Sequence, residues 1–153
     1  MNVEELSRKV EELSCRLECQ NLVINFFGAI DRRDQALWAS TLTDDAKQHS
    51  PRHPGGALDM KKHWAMVAAK TDFFPTHIIT NIVITPTGPD TAEGNMHGTA
   101  WNTFGSGTDT LPRPMLDKPS RIGLTQVKFR KTAKGWRISD FIGNAPYLDC
   151  GRT

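Results

Sequence analysis

The apolar periodicity of this chain changes once, near Thr76, from the repeat of an amphipathic helix to the pattern of strands. Before the change, apolar residues recur every three or four positions and predict three helices and one short strand, at 3–31, 34–42, 59–70 and 45–49. After it, four long strands are predicted, in HIITNIVI, 91–104, RIGLTQVKFRKT and 135–143. Helices segregated from hairpin-connected strands indicate an α+β fold, in which about three helices cover a curved antiparallel sheet that forms a cone around an apolar pocket.

The first helix carries the longest apolar repeat. Its members are expected to face the core, and they are Leu6, Val10, Leu13, Leu17, Ile24 and Phe27. Charged residues fill the other positions. Asp34 and Asp59 stand where the second and third helices begin, so each is a candidate N-cap.

Composition narrows the class of protein. The 153 residues suit one domain over 1–153, and 38% hydrophobic with 24% charged residues is typical of globular chains. A net charge of +2, with basic residues spread along the chain, gives no reason to expect a nucleic-acid partner. No apolar run approaches the roughly 18 residues of a membrane span. The charged N-terminus and three cysteines indicate a cytoplasmic protein, with Cys15 and Cys19 as surface thiols.

Asp31 is the most informative candidate for chemistry. It continues the apolar positions Ile24 and Phe27, and a carboxylate that faces a core is costly unless it is paired. The alternative is an ordinary helix terminus, where an Asp turns to solvent or caps the next helix.

His77 opens the first long strand. With regular alternation, one face carries His77, Ile79, Asn81 and Val83, and the other carries Ile78, Thr80, Ile82 and Ile84. Both faces are largely apolar, so both are expected to be covered. His77 is then either a core histidine with a satisfied ring or, if a carboxylate holds its ring, a general base.

The remaining histidines do not form a ligand pattern. His97 shares a mixed face of the second long strand with Trp101, and it lines a pocket or touches water. His49 and His53 fall in a predicted loop, and His63 is expected on the polar side of the third helix. Without metal or nucleotide motifs, no metal and no cofactor are predicted. The loop over 105–120 is long enough to form a lid or rim.

Two stretches resemble a known family. QNLVINFFGAIDRRDQALWASTLTDDA and THIITNIVI are similar to the first helix, the "DDA" strand and the "tHxxxN" strand of SnoaL-like proteins in the nuclear transport factor 2-like, cystatin-like superfamily. The similarity covers about residues 10 to 145. Its lyases include scytalone dehydratase, bile-acid 7α-dehydratase and hexachlorocyclohexane dehydrochlorinase.

The resemblance implies a cofactor-free lyase in which Asp31 and His77 together remove a carbon-bound proton from a hydrophobic small molecule, as in secondary metabolism. The family's dehydratases place a Tyr where this chain has Phe26, so His97 becomes the candidate donor to the leaving group. The pocket is then expected to be lined by five residues: Phe26, Phe27, Trp38, Asn81 and Trp101. Family members are usually dimers or trimers joined through sheet surfaces.

Other functions stay open because the fold hosts many. The missing phenol leaves room for an isomerase or a polyketide or terpenoid cyclase. An epoxide hydrolase would need an Arg between two carboxylates, and only Asp140 is a candidate for one of them. A ligand-binding domain or partner subunit would not need a buried acid–base pair.

Overall fold

The computed structural model describes residues 1–49, 54–69, 73–104 and 121–143. Its helices are α1 (Val3–Arg32), α2 (Gln35–Ser40) and α3 (Met60–Ala68). Its strands are β1 (Leu42–His49), β2 (Ala57–Asp59), β3 (Phe73–Pro86), β4 (Thr91–Phe104), β5 (Arg121–Thr132) and β6 (Gly135–Gly143), with a 3₁₀ turn at Pro54–Gly56. The three predicted helices and four long strands are confirmed, whereas β2 is too short for its periodicity to be recognised. The predicted rim loop at 105–120, His53 and the tail with Tyr147 lie outside the described residues.

The six strands form one curved sheet in the order β2-β1-β6-β5-β4-β3. The four long strands pair antiparallel as predicted, but β1 joins β6 in parallel, so the sheet is mixed. Strands β2 to β5 lie between β1 and β6 along the chain, and a neighbour so distant in sequence is not encoded in local periodicity. Strand β3 is an edge strand of this sheet, and α1 packs beside it.

Side-chain caps fix where the helices begin. Asp34 Oδ1 accepts the backbone N–H of Leu37, and Asp59 Oδ1 accepts that of Lys61, which confirms both predicted N-caps. Helix α1 ends at Arg32, and the left-handed backbone of the next residue, Arg33 (φ 58°), lets the N–H of Asp34 donate to the carbonyl oxygen of Ala29 over 2.8 Å. None of the helices in the described ranges is long and apolar enough to cross a membrane.

The face of α1 that packs on the sheet is not the predicted one. Buried residues recur along the opposite side of the helix, at Cys15, Cys19, Val23, Phe26 and Ile30. Five of the six predicted residues stay in water instead, since Leu6, Val10, Leu13, Leu17 and Ile24 are 48–64% exposed. The sixth, Phe27, packs against the core as predicted. Both sets repeat every three or four residues, so periodicity alone could not choose between them.

The two thiols in this buried set correct a second expectation. Cys15 and Cys19 lie in the core rather than at the surface. Burial raises the pKa of both thiols, and the neighbouring Cys15 adds to this effect at Cys19.

Strand β3 contains a bulge. Thr80 lies opposite His97 and Val83 lies opposite Asn95, so an advance of three residues along β3 corresponds to two residues along β4. Asn81 absorbs the extra residue with a left-handed backbone, at φ 54°. The core-facing residues of β3 are therefore Pro75, His77 and Ile79 before the bulge, and Ile82 and Ile84 after it. The alternation predicted for this strand holds only before Asn81.

Candidate active site

Asp31 and His77 meet between the last turn of α1 and the edge strand β3. The Nδ1 atom of His77 lies 2.5 Å from Oδ1 of Asp31. The backbone N–H of His77 donates to the other carboxylate oxygen, Oδ2, over 3.0 Å. This N–H is free to do so because, among the described strands, β3 pairs with β4 alone. One carboxylate therefore holds both the ring and the backbone of His77.

This clamp sets the tautomer of the imidazole. A carboxylate can only accept, so Nδ1 carries the proton and Nε2 keeps its lone pair. The side chains of His77 and Asp31 remain 17% and 24% exposed, so the pair is largely covered yet reachable. In a neutral imidazole whose Nδ1–H is held in this way, Nε2 is the basic atom, and it can take a proton from a molecule bound beside it.

Aromatic rings surround the pair on the core side. The ring of Phe27 lies 4.9 Å from that of His77, centroid to centroid. Phe26 stacks on Phe141 at 5.0 Å and lies 6.0 Å from Trp38, which contacts Trp64. The imidazole thus rests on one edge of an apolar, aromatic wall. Phe26, Phe27 and Trp38 stay predictions as substrate-binding residues, now with a common location.

The indole nitrogen of Trp38 is a polar group inside this wall. Trp38 is 2% exposed, and its Nε1–H has no hydrogen-bond partner among the described residues. An unpaired buried donor costs free energy unless something accepts from it. Composition and spacing gave no hint of this donor, because a tryptophan at an apolar helix position is expected in a core.

Two predicted site residues are not brought to His77. In the β3–β4 ladder His77 lies opposite Ala100, so the two side chains share a face. His97 is three residues from Ala100 on β4, and an odd separation along a strand puts two side chains on opposite faces. His97 therefore points to the opposite face of the sheet, where it is exposed and lies 3.5 Å from the Asn81 side chain. His97 and Asn81 were expected beside Asp31 and His77, and this expectation is wrong, because both side chains lie on the outer face of the sheet. Trp101 lies opposite Thr76 in the ladder, and its side chain is outside what the structure describes.

A second His–Asp pair was missed. His49 ends β1 instead of lying in a loop, and its Nε2 is 2.8 Å from Oδ1 of Asp140 on β6. Phe141 points inward onto Phe26, so its neighbour Asp140 lies on the outer face of the sheet. This pair lies on the face of the sheet opposite the aromatic wall, so Asp140 does not supply a second carboxylate for epoxide hydrolysis beside His77.

The described part of the chain contains no cluster of three or more His, Cys, Asp or Glu side chains that could hold a metal ion. A surface cleft of about 530 Å³ lies between α1 and the ends of the β-hairpins, and its lining includes Arg8, Cys15, Pro86 and Trp136. This cleft does not include the dyad. A pocket beside His77 stays a prediction.

A curved sheet covered by helices, with a His on the edge strand held by an Asp of the first helix, defines the class: a cystatin-like, nuclear transport factor 2-like α+β domain. The profile of the SnoaL-like domain matches residues 11–142. The chain therefore belongs to the SnoaL-like domain family. The search of curated proteins gives no match.

Solved structures share this fold at low identity. An NTF2-like protein with a cystatin-like fold from Novosphingobium aromaticivorans is 19% identical with a TM-score of 0.76, over 99% of this chain and 93% of that chain. A type 2 hexachlorocyclohexane dehydrochlorinase is 15% identical with a TM-score of 0.70, over 95% of both chains. A candidate scytalone dehydratase from N. aromaticivorans is 15% identical with a TM-score of 0.61, over 85% of this chain and 83% of that chain.

Proposed function

We propose that this protein is a cofactor-free lyase that eliminates a small leaving group from a hydrophobic molecule. The observation that carries the proposal is the clamp of Asp31 on His77, which leaves Nε2 as a fixed base next to an aromatic wall. A purely structural histidine would need only one acceptor for its ring. Here both oxygens of the carboxylate serve the same residue.

The reaction would run as follows. Nε2 of His77 takes a proton from a carbon next to the leaving group. The electron pair of that C–H bond forms the new C=C bond, and the leaving group departs with its own pair as chloride, or as hydroxide that takes up a proton to give water. The Asp31 carboxylate stabilises the imidazolium that forms. The proton then passes from Nε2 to solvent and restores the base.

The donor that assists departure differs from the one expected. Phe26 has no hydroxyl, and His97 lies on the other face of the sheet. The unpartnered Nε1–H of Trp38 is the donor that the aromatic wall offers, and it would accept a halogen or oxygen atom of the substrate as its partner.

The proposal is tested with the two substrate classes that the structural relatives name. Purified protein is incubated with hexachlorocyclohexane, with chloride release as readout, and with scytalone, with loss of water measured by mass. His77→Gln should abolish any turnover. His49→Gln removes the histidine of the outer His–Asp pair and should leave the rate within about twofold, since that ring lies on the other face. Turnover that survives His77→Gln would refute the mechanism.

An isomerase or cyclase is the second candidate, favoured by the absence of a phenol at Phe26. It would use the same base but return the proton to another carbon, so the product keeps the substrate's composition. Reaction in D₂O separates the two. A lyase product has lost HCl or water, whereas an isomer carries deuterium at a new carbon without loss of a group.

A further inference from the structure

The exposed apolar residues of α1 form one straight stripe, here named the outer stripe: Val3, Leu6, Val10, Leu13, Leu17 and Ile24. These side chains are 48–83% exposed, although each is as apolar as the core residues on the other side of the helix. A contiguous apolar surface of this kind is unusual on a monomer and is typical of an interface.

The spacing of the outer stripe is a heptad repeat. Val3, Val10, Leu17 and Ile24 stand seven residues apart, and Leu6, Leu13, Gln20 and Phe27 follow them by three. Phe27 lies beyond the end of the outer stripe and packs against His77 and Phe141 instead. In coiled-coil notation the first set holds the a positions and the second the d positions. A surface that must fit an arbitrary partner needs no strict period of seven, whereas a partner helix that supercoils around α1 does.

The residue types indicate two parallel strands. Three of the four a residues are β-branched, and the fourth is Leu17. β-branched residues at a combined with Leu at d, here Leu6 and Leu13, favour a parallel two-stranded coiled coil. Gln20 is a single polar residue at d, and its amide can pair with the Gln20 amide of a second copy only when the two helices are parallel and in register.

Charges beside the stripe point to the same orientation. Lys9 and Arg16 stand at the g positions, each paired within the helix to a glutamate four residues earlier. The e positions are Ser7, Ser14 and Asn21. In an antiparallel pair, g faces g, which would bring Lys9 against Arg16 of the other copy. In a parallel pair, g faces the neutral e positions and no like charges meet.

The body of the domain leaves room for a partner helix. Leu17 of the outer stripe and Cys19 of the buried face are two residues apart, which is about 200° around an α-helix. The sheet therefore lies behind α1 as seen from the stripe. The stripe side chains are 48–83% exposed, so a second helix can lie along residues 3–24, about 33 Å of helix. The β3–β4 turn borders this path at the cleft that Val10 lines with Pro86.

We infer that two copies of this chain associate through the outer stripe, as a parallel coiled coil over residues 3–24. This interface differs from the sheet surfaces implied by the family resemblance. The sheet's outer face carries its own exposed residues, Ile78, Val83 and Leu124, so the two possibilities can be separated by mutation.

Sedimentation velocity of the full chain over a concentration series tests the interface. The wild type should sediment as a dimer, and Leu13→Glu with Leu17→Glu should weaken association by about 30-fold or more, as expected for central interface residues. Asn25→Glu with Gln35→Glu adds the same charge at exposed positions off the stripe and should change nothing. A monomeric wild type, a dimer that survives the stripe variant, or a dimer dissociated by Ile78→Glu would overturn the inference.

Cross-linking tests the orientation and does not depend on the charged variants. Leu6→Cys places a thiol near the start of the helix, where it meets its equivalent only in a parallel pair. Oxidised glutathione should convert the two thiols to one disulfide and release two reduced glutathiones, and peptide mapping should show a 6–6 link. Glu4→Cys, which points away from the seam, is the control. Equal cross-linking of both variants, or a link from position 6 to Cys introduced as Gln20→Cys, would exclude the parallel arrangement.

Discussion

Replacing Asp31 with Asn isolates the role of the clamp, because the two side chains have the same shape and differ in what they can accept. Asp31 accepts from the His77 ring through one oxygen and from the His77 backbone through the other. Asn has one acceptor oxygen and one amino group. One of the two His77 donors must then face an N–H₂ group, and the arrangement cannot persist unchanged.

The imidazole ring of His77 can adapt to the Asn amide, whereas the backbone N–H of His77 cannot. The backbone N–H cannot change its proton, whereas the imidazole can move its proton from Nδ1 to Nε2 and accept from the Asn amino group. That tautomer removes the lone pair that the mechanism needs. A comparable change of tautomer in a Ser-His-Asp hydrolase costs about 10,000-fold in kcat, so we expect a loss of about 1,000- to 10,000-fold here. The loss of a charge-assisted hydrogen bond should also lower the free energy of unfolding by about 2 kcal/mol.

Two measurements follow this change. Turnover of the active substrate gives the rate, and ¹⁵N chemical shifts of the labelled His77 ring report which nitrogen carries the proton without any substrate. Asp34→Asn is the matched control, because Asn caps a helix as well as Asp does and the same charge is removed three residues away. If Asp31→Asn kept both the Nδ1–H tautomer and a rate within tenfold of wild type, the reasoning from the clamp would be wrong.

Three further predictions concern the wall, the faces of the sheet and the core thiols. Trp38→Phe keeps the ring but removes Nε1–H, so we expect kcat to fall about 10- to 100-fold with folding retained, measured by steady-state kinetics and circular dichroism; an unchanged kcat would exclude the indole as donor. Met96→Ala should lower unfolding free energy by about 2–5 kcal/mol in urea titrations, because Met96 is 1% exposed, whereas neighbouring His97→Ala should stay within about 0.5 kcal/mol; equal losses would contradict the assignment of β4 faces. Burial raises the pKa of Cys15 and Cys19, so iodoacetamide at pH 8 should label both far more slowly than in urea. As pH rises above about 8.5 the unfolded thiols ionise first, so stability should fall, and Cys19→Ala should flatten that fall; a slope unaffected by the substitution would argue against it.

The elements of the fold could be predicted from the sequence because each has a local signature. Asp34 and Asp59 mark helix starts by type and position, and the strand runs are rich in β-branched residues. The parallel neighbour of β1 could not be predicted, since strand pairing depends on contacts across much of the chain. For the same reason His49 was placed in a loop, although its bond to Asp140 is part of that pairing.

The candidate site was only partly predictable. Asp31 and His77 were recognised by the family resemblance together with the cost of burying a carboxylate, and the structure brings them together. His97 was not placed correctly because its partner in the ladder was unknown, and one residue of register decides the face. The stripe on α1 shows a related limit, since a heptad repeat and a core-facing repeat have nearly the same spacing.

The bulge at Asn81 divides β3 into two segments whose inward-facing residues follow different numbering. Odd-numbered residues face inward up to Ile79, and even-numbered residues face inward from Ile82 onward. The first segment carries His77, and the second packs into the core. Deleting Asn81 would make Ile82 follow Thr80 directly, which gives a regular strand in which Ile79, Ile82 and Ile84 still face inward. His77 would therefore keep its side of the sheet, and the change would remove only the bend and the added twist that a bulge gives its strand. The bulge thus acts on the path of the edge strand beside α1, and not on which face each of its segments presents.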